Sequence, residues 1–140
     1  MKYQGRTEQD KASIHRKQDA EVLRVRGRWR GAMYLMGYAV ECSLKAKLME
    51  RYNLWTLRAL QDHPATGLVK SIDVFTHSLH DLMEWTHAEH RMTPNQRQSW
   101  GRLSKWSVDW RYSHEPGDEQ ICDDFFDAAS DILEFVRASV

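Results

Sequence analysis

The sequence predicts an all-α protein, a four- to five-helix up-and-down bundle, and three observations carry that prediction. Residues 28–52 repeat apolar side chains at helical spacing, through Met33, Met36, Gly37, Val40, Leu44 and Leu48. Two helix-start signals follow, Ser78-Leu79-His80-Asp81 and Thr93-Pro94, each a hydroxyl residue followed by first-turn chemistry that suits a helix N-terminus. The last segment, from Asp118, opens with acids and continues with Ile121, Phe125, Ala128, Ala129, Ile132, Leu133 and Val136 on one face. No stretch alternates with the period of a strand, so a sheet is not expected.

Taken in order, residues 1–7 read as a frayed lead-in and Glu8 to Arg26 as a first, weakly amphipathic helix, with Ala12, Ile14, Ala20, Val22, Leu23 and Val25 as its apolar positions. Gly27 marks its end. The helix over 28–52 is the expected spine of the core, widened by Tyr34, Leu35 and Tyr38. Gly31 and Gly37 cost stability in a helix interior, and small residues there let a neighbour approach closely. Residues 53–78 contain Asn53, Pro64 and Gly67 without a sustained period, so they read as a long connection with a short helical turn at 55–61 and an extended stretch at 68–75. The third helix runs through Leu82, Met83, Trp85 and His87. A fourth is expected through Trp100, Leu103, Trp106, Val108 and Trp110, and Glu115-Pro116-Gly117 separates it from the last.

The chain has 140 residues, enough for one domain with its own core, and residues 1–140 are read as a single domain. Six tryptophans and a 41% apolar fraction argue against disorder. Cys42 and Cys122 lack a paired spacing, and no apolar run reaches the roughly 20 residues of a membrane helix, so a cytoplasmic protein with reduced thiols is expected. The formal net charge of zero conceals an asymmetry: residues 1–58 hold 13 Lys/Arg against 6 Asp/Glu, and residues 59–140 hold 7 against 14. Such complementary halves are expected to pack on each other, within the chain or across a dimer. Arg24, Arg26, Arg28 and Arg30 offer a strip for phosphate, but they do not share one helical face.

Four constellations have chemistry. His80, Glu84 and His87 share one helical face, and imidazole with carboxylate suits zinc or iron; the spacing matches no stringent metal motif, so an exposed or structural role is expected, with no metal and no cofactor. Trp85, Trp100, Trp106 and Trp110 have the residue type that stacks nucleobases, yet their spacing fits core positions better. Glu41 and Lys45 form an i,i+4 pair inside an otherwise apolar helix, where charges need partners, and Arg111 is a candidate for Glu41. Finally, Arg111 and His114 lie together in Asp109-Trp-Arg-Tyr-Ser-His-Glu-Pro116, where a permanent cation and a proton-transfer group stand three positions apart.

The order of these motifs resembles the HEPN family of helical-bundle domains. Gly31-Ala-Met-Tyr-Leu-Met-Gly-Tyr-Ala-Val-Glu-Cys-Ser-Leu-Lys45 is similar to the family's Ala/Tyr-rich helix that ends in Ala-Val-Glu followed by Leu-Lys. Thr76-His-Ser-Leu-His80-Asp-Leu82 resembles its Thr/His-Asp-Leu helix start, and Trp110-Arg111-Tyr112 its Arg-Tyr before a terminal amphipathic helix. The resemblance covers roughly residues 18–138. It implies a homodimer tied to nucleotide or RNA, in toxin–antitoxin, defence or RNA-processing settings, and sometimes paired with a nucleotidyltransferase-type protein.

The family's ribonucleases use an arginine and a histidine separated by four to six residues, and this chain departs from that pattern. Only two residues separate Arg111 from His114, and the one Arg-x4-His match, Arg58 to His63, falls in the long connection. The leading expectation is therefore a binding or regulatory domain, with Glu41, Lys45, His80, Arg111, Tyr112 and His114 as ligand-binding residues. The enzymatic alternative is a divergent metal-independent ribonuclease in which His114 moves the proton and Arg111 stabilises the phosphate transition state. A purely structural dimerisation domain is the third alternative.

Overall fold

A computed structural model of the chain describes residues 5–62, 76–107, 109–110 and 117–140. The protein is all-α, and the described residues contain no strand, only an isolated bridge between Gly5 and Thr56. Helices α1 (Arg6–Val25), α2 (Trp29–Arg51), α3 (Leu57–Asp62), α4 (Leu79–Thr86), α5 (Pro94–Leu103) and α6 (Glu119–Ser139) follow in order, with a 3-10 turn at Glu89–Arg91. The short α3 and the 3-10 turn take the described elements beyond the expected four to five helices. None of these helices is long and apolar enough to cross a membrane.

Helix α2 is the centre of the core. Ala32, Met33, Met36, Val40, Leu44, Leu48 and Met49 are buried on it, because α1, α4 and α6 all pack against it and leave little of its circumference to solvent. Helix α1 reverses into α2 at Gly27, whose φ of +75° is a left-handed conformation that suits glycine. The two helices are antiparallel: Leu23 lies against Gly31 near the turn, while Ser13 Oγ donates to the Ala39 carbonyl at 2.7 Å farther along. Only Ala20 of α1 is fully buried, and of its apolar positions Ile14, Val22 and Val25 are exposed, in keeping with a weakly amphipathic helix. Helix α2 is the main partner of α1 and covers only a narrow stripe of it.

The start signals behave as capping chemistry requires. Ser78 accepts from the Asp81 N–H, and Thr93 accepts from the Gln96 N–H while the Gln96 side chain accepts from the Thr93 N–H, a reciprocal capping box. Asp118 caps α6 through the Ile121 N–H. Helix α6 packs on α2 and α5, tied to α5 by the Ser99 hydroxyl donating to Asp131 at 2.8 Å.

Two expectations are corrected. The fourth helix ends at Leu103 rather than running to Trp110. At about 100° per residue, a continued helix would turn Trp106 about 120° from Trp100; leaving the helix lets both rings be buried. Ile121, expected in the core, is 61% exposed, because it lies at the edge of the α6 stripe that Cys122, Phe125, Ala129 and Ile132 bury. The extended stretch expected at 68–75 lies outside the described residues.

Candidate functional site

The charged pair expected on α2 forms, and it is buried. Glu41 and Lys45 are 2% and 4% exposed, and Lys45 Nζ stands 3.2 Å from Glu41 Oε2. The other carboxylate oxygen, Oε1, lies 2.9 Å from Nδ1 of His77, which sits just ahead of α4 with its side chain half exposed. An ionised carboxylate only accepts, so Nδ1 of His77 donates and its Nε2 remains for proton exchange or a ligand. A buried ion pair earns little net stability unless its remaining lone pairs are satisfied, and His77 supplies that third partner.

Burial raises the titration of two neighbours on the same helix, and Glu41 adds to it. Burial, then the Glu41 charge, pushes the Cys42 thiol up to about 12. Burial also raises the Tyr38 phenol, with Cys42 and Glu41 adding to the effect. Neither group is thereby poised as a nucleophile near neutral pH.

One face of α2 leads from this centre to a cavity. Arg30, Tyr34, Gly37, Glu41 and Lys45 recur at intervals of three and four and so lie along one side, with about 16 Å of helix between Arg30 and Glu41. Midway, the Trp106 ring stacks on Tyr34 at 6.0 Å, rests against Gly37 and donates from Nε1 to the Tyr34 carbonyl at 3.0 Å. At the Arg30 end is a cavity of about 280 Å³, near the lower limit of ordinary small-ligand pockets, about 300 Å³. Arg30, Arg102 and Lys105 line it with Trp110, Phe125 and Asp124. The Arg30 guanidinium stands 5.1 Å from the Trp110 ring centroid, and Trp110 leans on Phe125 at 5.7 Å. The cavity therefore offers cations, an aromatic platform and one carboxylate acceptor.

The site residues expected from sequence fall into three groups. Glu41 and Lys45 are together. His80 is elsewhere, exposed on α4 with Nε2 3.7 Å from Glu84. Arg111, Tyr112 and His114 lie outside the described residues, as does His63 of the Arg58 match. Sequence reasoning missed His77 as the partner of Glu41, although its place beside Ser78 in the Thr76–Leu82 motif was a signal. Arg102 and Lys105 had none, being ordinary cations at the end of a helix. The basic strip divides: Arg24 stands 4.7 Å from the Phe126 ring centroid and Arg30 serves the cavity, while Arg26 and Arg28 are exposed around the Gly27 turn.

Comparison with protein-family models, with curated proteins and with solved structures gives no match for this chain.

Proposed function

We propose that the chain is a HEPN-like helical bundle that binds nucleotide or RNA in the cavity at the Arg30 end of α2. The observation that carries this reading is the convergence of Arg30, Arg102 and Lys105 around Trp110, whose chain neighbours are the Arg111-Tyr112 pair. Guanidinium and ammonium groups suit phosphate, an indole suits a base face, and Asp124 offers an acceptor for a sugar hydroxyl or a base N–H. The sequence resemblance supports the same assignment, since the Gly31–Lys45 segment is the helix that leads from this cavity to the buried charges. Regulation of a partner protein and assembly as a homodimer belong to this reading, with the exposed Ile14, Val22 and Val25 of α1 as apolar contacts for a second copy.

Nucleotide titration read by quenching of indole fluorescence tests it. Saturable quenching is expected, and Trp110→Leu should weaken binding by about 1–3 kcal/mol, the range for loss of a base stack. Affinity that is unchanged in Trp110→Leu contradicts the proposed platform.

A second reading, a metal-independent ribonuclease, draws on the hydrogen bond between His77 and Glu41. A carboxylate that fixes an imidazole tautomer orients it for general acid–base work on a ribose hydroxyl. RNA incubated in chelator should then release fragments, and His77→Ala should abolish release; Arg111→Ala and His114→Ala separate this arrangement from the pair near the C-terminal helix. Release that persists in all three variants removes the enzymatic assignment of these residues.

A further inference from the structure

Helix α4 and the 3-10 turn after it bring together a set of metal-ligating side chains that neither the cavity at Arg30 nor the Glu41–His77 contact uses. His80 Nε2, Glu84 Oε2 and a carboxylate oxygen of Asp81 belong to a group whose ligand atoms all lie within 4.8 Å of one another. A separate feature of the surface adds donors: an open cleft of about 510 Å³ is lined by His80, Glu84, His87, Glu89 and His90. Three imidazoles and two carboxylates thus border one cleft, and no Lys or Arg is among its lining residues.

The backbone holds this arrangement in place. His87 ends α4 in a left-handed conformation, φ +53° and ψ +26°, which turns the chain sharply between Glu84 and Glu89. Beneath that turn the buried Thr86 hydroxyl donates to the Met83 carbonyl and accepts from the Ala88 N–H, and Arg51 of α2 donates to the Thr86 carbonyl. Arg91, the nearest cation in sequence, is directed to the Ser139 carbonyl at 2.9 Å. His80, Asp81 and Glu84 are therefore mounted on α4, the turn after it carries His87, Glu89 and His90 beside them, and the local charge is left to the carboxylates.

We propose that this edge of the cleft binds a divalent transition-metal ion, with His80 and Glu84 as its first ligands and Asp81, whose carboxylate belongs to the same close group, as the third. Imidazole with carboxylate favours zinc, nickel or cobalt over calcium and magnesium, which take oxygen ligands. Bonds of about 2.0–2.2 Å place neighbouring ligand atoms roughly 3.4 Å apart in a tetrahedron. Exposed His80 and Glu84 reach that spacing from 3.7 Å by small side-chain rotations. An exposed cleft leaves the remaining positions to water, which makes it an open site rather than a closed structural one.

The full-length chain, stripped of metal by chelator and dialysed, is titrated with Zn²⁺ by calorimetry and with Co²⁺ by visible absorption. One equivalent of each is expected, with a ligand-field band for Co²⁺. His80→Ala and Glu84→Gln should each lower affinity at least tenfold, since even outer-sphere changes cost 10- to 100-fold. His15→Ala, a change at an exposed histidine of α1, should leave binding unaltered. The metal-free thermal midpoint should be the same in all variants, because the side chains involved are exposed. No stoichiometric binding, equal affinity in His80→Ala, or an equal loss in His15→Ala overturns the proposal in favour of scattered surface imidazoles.

Discussion

Trp106 is seated on Gly37: a Cβ at that position would lie under 3.0 Å from Cδ1, Nε1 and Cγ of the indole. The glycine expected to admit a neighbouring helix thus admits a side chain, and the ring closes the segment after α5 onto the central helix. Gly37→Ala should destabilise the protein by about 1–3 kcal/mol despite the better helix propensity of alanine, because overpacking outweighs the roughly 1 kcal/mol that alanine gains. Urea unfolding monitored by circular dichroism measures this; a stabilised Gly37→Ala would contradict the seating of Trp106. Trp106→Phe keeps an aromatic ring but removes the hydrogen bond that the Tyr34 carbonyl accepts in addition to its intrahelical one, at a cost of about 0.5–1.5 kcal/mol.

Glu41 and Lys45 should be strongly coupled. Lys45→Met leaves the buried Glu41 carboxylate with only His77, and Glu41→Leu strands the Lys45 ammonium, so each single change should cost about 3–5 kcal/mol. The double variant Glu41→Leu/Lys45→Met replaces both charges by apolar groups and should cost far less than the sum. A double-mutant cycle by chemical denaturation reads the coupling. Additive losses would mean that the two charges do not depend on each other.

The thiols give a pH prediction with a definite sign. Burial raises Cys42 to about 12, and burial with the Asp123 charge raises Cys122 to about 11, from an ordinary value of 9.0. Both are neutral in the folded protein at pH values where the unfolded chain has begun to lose thiol protons. Their contribution is therefore complete below about 9 and is lost as pH rises through about 11–12. Folded protein should resist iodoacetamide at pH 8, with rapid labelling of both cysteines in denaturant; rapid labelling of the folded protein would contradict their burial.

The fold was legible where local chemistry and periodicity point the same way. The stripe of α2, the Thr93 cap with Pro94 at the first helical position, the Ser78 cap and the α6 face all follow from patterns a few residues long, while the reciprocal Gln96 half of the box was found at Thr93 rather than at the Ser78 start. The end of α5 was not legible, because the advantage of burying Trp106 on Gly37 depends on residues about seventy positions apart. Ile121 escaped for a related reason: apolar spacing reveals a stripe but not whether anything covers it. At the site, the Glu41–Lys45 pair was visible as an i,i+4 pattern, and the need for a further partner was visible too. That His77 meets this need is a long-range fact.

Binding of a labelled single-stranded RNA, followed by fluorescence anisotropy over a range of salt concentrations, bears most directly on the proposed role of the cavity. Arg102 and Lys105 are exposed, so Arg102→Glu/Lys105→Glu should leave the unfolding midpoint close to that of the parent chain. The account predicts saturable binding that weakens with added salt, as phosphate contacts require, and a loss of affinity of at least tenfold in the double variant. Equal affinity in parent and variant, or no binding of RNA or nucleotide by the folded parent chain, would contradict it.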